Sequence, residues 1–216
     1  MDHHTRPEGG SLYPLLDTHQ VEHIRPKNHY PDQVFVWENF LYACQPCNGP
    51  KSAQVTIIRE ADGVEEVIRR GRVDAPPEGR QLLIDPRAED PRAFFELDVN
   101  GTGHFLIREG LSGVDHRRAK YTLKVLRLNK RAVLTRMRKQ AYGNYRARLR
   151  EYVEVKRRPR IADKKTRLET LRDALLGLNH PTVWVEMVQQ HQEIDELRRL
   201  FELAPEALGW KPTQAP

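Results

Sequence analysis

Cysteine is scarce in this chain. Among its 216 residues there are two, Cys44 and Cys47, which excludes a small secreted scaffold stapled by disulfides. Long apolar runs are missing as well. None approaches the ~18 residues that a membrane-crossing helix needs, and the polar opening MDHHTRPEGG lacks the apolar core of a secretory signal. No membrane association and a cytoplasmic location are therefore expected. Disorder along the whole chain is excluded, because 38% of residues are hydrophobic and 31% charged, a polar but globular balance. There is no internal repeat and no sustained heptad pattern.

What is plentiful is positive charge. The 36 Lys and Arg outnumber the 30 Asp and Glu, giving a formal net charge of +6. That permits a polyanionic partner without requiring one. The excess is greatest from Arg117 to Arg160. That run reads either as a phosphate-backbone contact or as a face docked on an acidic partner, against the plain alternative of a solvated helix surface.

The pattern predicts an α+β chain. Residues 1–11 read as a disordered terminus. A turn is expected near Asp17-Thr18, a short strand over roughly 19–24, and an extended loop over 25–36, where Pro26, Asn28 and Pro31 punctuate the chain. A turn-like CQPCN leads into a short helical segment. QVTIIRE reads as a strand or short helix. FFELDV and GHFLIRE read as strands joined through Asn100-Gly101, a pair suited to a tight hairpin. Residues 114–159 are helix-permissive, with further helices expected at about 162–177 and 181–203, separated by Gly177 and Asn179-His180-Pro181. The resulting partition is a core over 12–75, a connecting β/loop region over 76–113, a helical basic region over 114–208 and a tail over 209–216.

Chemistry concentrates between Glu22 and Lys51. Glu22-His23, Asn39 and Cys44-x-x-Cys47-Asn48-x-x-Lys51 gather an imidazole, a carboxylate, two carboxamides and an ammonium. Phosphodiester hydrolysis needs a base to activate water and a divalent cation to absorb charge. Histidine suits the first task near neutrality, and hard oxygen donors suit the second. Taken singly, each residue has an ordinary reading. His23 is a surface or core histidine, Asn39 a turn or cap residue, Asn48 part of an Asn-Gly turn, and Cys44 and Cys47 buried thiols or a redox pair. Tyr30, Trp37 and Tyr42 read first as core aromatics, with base stacking the minor alternative.

The segments VEHIRPKNHYP and WENFLYACQPCNGPKS resemble the core of the HNH endonuclease superfamily, whose fold is ββα-metal. The further blocks LLIDPRAEDP, FFELDVNGTGHF and AKYTLKVLRLNKRAVLTRMRKQ narrow the resemblance to PtuB, the HNH subunit of Septu-type and retron-linked anti-phage systems. The likeness extends over about residues 11–140. It implies an endonuclease cleaving DNA, with His23 as general base, Asn39 orienting its imidazole, and Glu22 and Asn48 holding one Mg²⁺ or Mn²⁺. It also implies an ABC/SMC-like ATPase partner, PtuA. Arg25, Lys27 and Lys51 are candidate phosphate contacts. Two departures stand out. Glu22 occupies a position where Asp is commoner. The upstream cysteine pair of many relatives is replaced by Ser11-Leu12-Tyr13-Pro14, so Cys44 and Cys47 supply two thiolates where a structural zinc needs four ligands. His3, His4 or His19 could supply the missing ligands, though nothing in the spacing demands it. The competing expectation is a degenerate HNH-type core that binds DNA or scaffolds an ATPase without cleaving.

Overall fold

A computed structural model describes residues 19–69 and 76–212 of the chain, and in 44–47 and His19 the backbone alone. The architecture is α+β, with small antiparallel sheets and several helices. Two compact units divide the chain, one of residues 1–94 and 110–127, the other of 95–109 and 128–216. The expected turn at Asp17-Thr18 and the disordered terminus lie outside the described residues.

Among the described residues of the first unit, strand β1 (His19–His23) comes first and pairs antiparallel with β2 (Phe40–Cys44). The intervening loop contains two short 3-10 turns, Pro31–Gln33 and Trp37–Asn39. Helix α1 (Gln45–Lys51) follows β2 without a break and packs on both strands. QVTIIRE, open between strand and helix in the sequence, is a strand. β3 (Val55–Arg59) pairs with β4 (Glu65–Ile68) on one side and β5 (Gly79–Gln81) on the other. Val55, Thr56, Ile57 and Ile58 are buried in succession, as expected for a central strand covered on both faces rather than alternating. Tyr30 packs with Val55, Ile57 and Ile68 in one cluster.

Helix α2 (Gly113–Val125) closes this unit. Ser112 caps it by accepting from the Asp115 amide, satisfying a donor that the first turn leaves open. Arg118 is buried, pairs with Glu89, donates to the Gln81 carbonyl at 3.1 Å and lies over the Phe94 ring. Thr122 accepts from the Ile84 amide at 3.0 Å. One face of α2 thus fastens the segment 81–94.

The second unit contains a hairpin of β6 (Phe95–Leu97) and β7 (Phe105–Ile107), turning through Asn100-Gly101 as its sequence suggests. Asp98 organises the turn by accepting from the Gly101 and Thr102 amides, and Gly103 takes a φ of +71°, a conformation glycine adopts without strain. The described residues of this unit also form the helices α3 (Ala132–Arg157), α4 (Lys164–Leu176), α5 (Pro181–Gln189) and α6 (Asp195–Leu203). α3 carries Tyr145 and Leu149 into a core shared with Leu175, Trp184, Met187, Leu197 and Phe201. Burial pushes the Tyr145 phenol up to about 12.

The helix expected over 181–203 is two helices separated by a turn at 190–194. Val183 and Leu197, like Met187 and Phe201, are separated by close to four whole helical turns. The two apolar stripes therefore stay in phase, and periodicity alone cannot register the break. Gln190 leaves the helix path to donate to the Leu97 carbonyl at 2.8 Å.

Candidate functional site

Strand alternation divides the β1–β2 hairpin into two faces. The register places Val21 opposite Tyr42 and His23 opposite Phe40 on one face, and Gln20 opposite Ala43 and Glu22 opposite Leu41 on the other. α1 lies along the Gln20–Glu22 side. Its residues Asn48 and Lys51, one helical turn apart, reach those two side chains. The Asn48 amide donates to Gln20 at 3.0 Å. Lys51 Nζ donates to Glu22 Oε1 at 2.5 Å and to the His23 carbonyl at 2.7 Å.

Lys51 is only 3% exposed. Its ammonium is committed to Glu22 and the β1 main chain rather than turned to solvent. Of the three candidate phosphate contacts, Lys27 is exposed, while Arg25 is half-buried with its guanidinium over the Tyr30 ring at 5.4 Å.

His23 sits at the end of β1 with Nε2 3.0 Å from the Val34 carbonyl. A carbonyl only accepts, so Nε2 carries the hydrogen and the neutral ring keeps its lone pair on Nδ1. That is the form a general base requires. The other side of the ring lies against Phe40, 5.0 Å between centroids.

Asn39 does not bond the imidazole. It is 2% exposed, and its side chain accepts from the Arg25 amide at 2.7 Å while donating to the carbonyls of Arg25 and Gln33, both at 3.0 Å. The Asn39 carbonyl accepts from the Ile24 amide at 2.9 Å. The residue thereby ties both ends of the loop from Arg25 to Val36. Val34, whose carbonyl meets the His23 ring, belongs to the loop that Asn39 braces.

Three participants carry no signal in the sequence. Val34 contributes only a main-chain oxygen, which any residue has. Gln20 meets Asn48 because of where α1 lands. Arg87 donates through Nη1 to the Trp37 and Phe40 carbonyls, each at 2.6 Å, from far along the chain. His29 is a buried histidine whose Nε2 faces the Ala53 carbonyl at 3.2 Å. It anchors the loop.

Among the described residues, no three His, Cys, Asp or Glu side chains gather to hold a metal. The side chains of Cys44, Cys47 and His19, like all of His3 and His4, lie outside the described residues. Glu22 and Asn48 each bond a partner across the contact of β1 with α1. Lys51 takes one Glu22 oxygen and Gln20 takes the Asn48 amino group, leaving Glu22 Oε2 and Asn48 Oδ1 as hard donors. Two protein oxygens suit Mg²⁺ or Mn²⁺, which keep several waters, and in donor type the pair fits such a cation. The adjacent Lys51 ammonium opposes it in charge.

No protein-family model matches the sequence, and no solved structure matches it. Among curated proteins, the chain is 39% identical over 57 residues to the Septu protein PtuB of Bacillus thuringiensis. The aligned part is 26% of this chain and 20% of that relative. Its similarity to the PtuB family is local and distant.

Proposed function

We propose that the first unit is an HNH-type endonuclease core that hydrolyses phosphodiester bonds in DNA. The single observation that carries this reading is His23, held through Nε2 by a backbone carbonyl with Nδ1 left as the basic nitrogen. In the proposed reaction, His23 Nδ1 takes a proton from water. The resulting hydroxide attacks phosphorus opposite the 3′ oxygen, and the P–O bond to that oxygen breaks. Asn39 is a positioning residue, keeping the Val34 carbonyl where it fixes the ring. When bound, Mg²⁺ or Mn²⁺ held by Glu22 and Asn48 would polarise the phosphate and neutralise the leaving oxygen. Lys51 braces Glu22 and the His23 main chain, and Arg25 and Lys27 supply positive charge for the phosphate backbone.

The local likeness to a Septu PtuB supports placing this activity in an anti-phage complex with a PtuA-like ABC/SMC-type ATPase. The test is plasmid cleavage by the purified protein with Mg²⁺ or Mn²⁺, alone and with a PtuA-like ATPase, against His23→Ala. Cleavage that disappears in folded His23→Ala supports the reading, and dependence on the ATPase supports the complex.

One observation favours a second reading. Glu22, the only carboxylate in the proposed metal pair, already has a buried lysine as its counter-ion. A core that binds DNA or scaffolds an ATPase without cleaving would show complex formation and no product under either cation.

A further inference from the structure

Exposed apolar side chains lie near His23: Val21 shares its hairpin face, and Trp37 meets Phe40 of that face. Trp37 is 73% exposed and Phe35 92%, with Val21 also open to solvent. Core formation does not account for them. Val21, Trp37, Phe40, Leu41, Tyr42 and Arg87 line a cleft of about 620 Å³, within the size range of small-ligand sites.

The cleft is held in shape. The Arg87 Nη1 bonds to the carbonyls of Trp37 and Phe40 fix the short segment that carries the indole, and the guanidinium lies 5.8 Å from the Trp37 ring centroid. Trp37 meets Phe40 edge-on at 6.3 Å, and Phe40 meets His23 at 5.0 Å. Two ring contacts therefore connect the indole to the proposed general base. Arg87 is itself exposed, so its remaining N–H groups sit at the rim.

We propose that this cleft seats an unstacked nucleobase of the strand being cut, with Trp37 as the stacking surface and Arg87 facing the adjoining phosphate. This rests on the nuclease reading of His23, since a nucleotide whose phosphate reaches that residue brings its base to the neighbouring face. Flat apolar walls match a base, which offers a π-face whatever its identity. A cation at the rim matches the phosphate that every base carries beside it. Recognition of this kind requires a single-stranded or locally opened substrate and tolerates many sequences.

The experiment measures binding, with cleavage silenced by His23→Ala in the full chain. Fluorescence anisotropy gives the affinity for a labelled single-stranded oligonucleotide, in DNA and RNA forms, and for its abasic counterpart. Trp37→Ala in this background is expected to weaken binding about tenfold for the base-containing strand and to leave the abasic strand unchanged. Trp37→Phe restores most of the loss. Because Trp37 is exposed, thermal melting of the variants should match the parent. The DNA and RNA arms identify the strand the cleft accepts. Equal affinity of Trp37→Ala and its parent for the base-containing strand would overturn the proposal. So would an unchanged affinity accompanied by a change in self-association measured by sedimentation, which would make the patch a protein interface. Failure of the nuclease reading looks different. Cleavage would then survive His23→Ala or never occur, whatever Trp37 does to binding.

Discussion

Asn39 is a buried brace, His23 a half-buried ring and Lys51 a buried counter-ion to Glu22. Removing Asn39 strands the Arg25 amide and the Arg25 and Gln33 carbonyls. Each unmet buried polar group costs about 1–3 kcal/mol. Asn39→Ala should therefore lower the melting temperature clearly and lose cleavage rate, whereas a cap residue on a solvated turn would cost far less. Lys51→Met leaves Glu22 as an uncompensated, mostly buried carboxylate. A loss of about 3–5 kcal/mol is expected by chemical denaturation, and adding Glu22→Gln should recover part of it. A solvated phosphate-binding lysine would produce no such loss and no such recovery. Spacing singled out His23, Asn39 and Asn48 as candidates, and the fold brings Glu22, His23, Asn39, Asn48 and Lys51 around the β1–β2 hairpin and α1. Their partners were illegible. A main-chain carbonyl has no residue type, and a lysine shows its burial only once α1 has landed on β1.

At the scale of elements, apolar content and turn residues indicated β1, β6, β7 and a helix-rich second half and left β3 open, whereas β2, β4 and β5 show themselves only in the fold. Gly79 is one such case. A Cβ there would lie 2.3 Å from the Ile58 carbonyl oxygen, where β5 crosses close to β3. Gly79→Ala must push two strands apart. It should destabilise the first unit by about 1–3 kcal/mol, measured as a shift in denaturation midpoint, although the sequence shows only a glycine after prolines. α5 carries another case. Glu186 is 1% exposed, and burial raises its carboxyl above the ordinary range despite a bond from Gln190 at 3.1 Å. The folded chain then holds this proton at pH values where the unfolded chain has released it, so ∂ΔG/∂pH is negative there. The contribution is fully present below the unfolded value and is lost as pH rises through the folded one. Glu186→Gln should flatten that decline in melting temperature across the mildly acid range. A parallel decline in both proteins would place its origin elsewhere.

For the molecule as a whole, no helix among the described residues is long and apolar enough to cross a membrane, and the net charge is +6. The α+β class followed from alternating short strands and a helix-rich second half. Helical order in the basic run was legible from its periodicity, yet its ion pairs were not. Arg146 and Arg150 both meet Glu196, and Lys156 meets Glu206, because α6 and the residues after it fold back along α3. These partners are remote in sequence, and they neutralise charge that composition alone would assign to a ligand. Nucleic-acid binding should still weaken steeply with salt, with at least about a tenfold loss between 50 and 200 mM if several phosphates are contacted. An affinity indifferent to salt would remove the polyanion from the account.

The most direct measurement is single-turnover cleavage by His23→Gly with and without added imidazole, in preparations whose melting matches the unsubstituted protein. The account predicts a rate reduced by about 10²–10⁴, recovered in part as imidazole fills the vacated place. A His23→Gly protein that cleaves as fast as the original, or an unsubstituted protein that never cleaves with a PtuA-like ATPase and either cation, would contradict it.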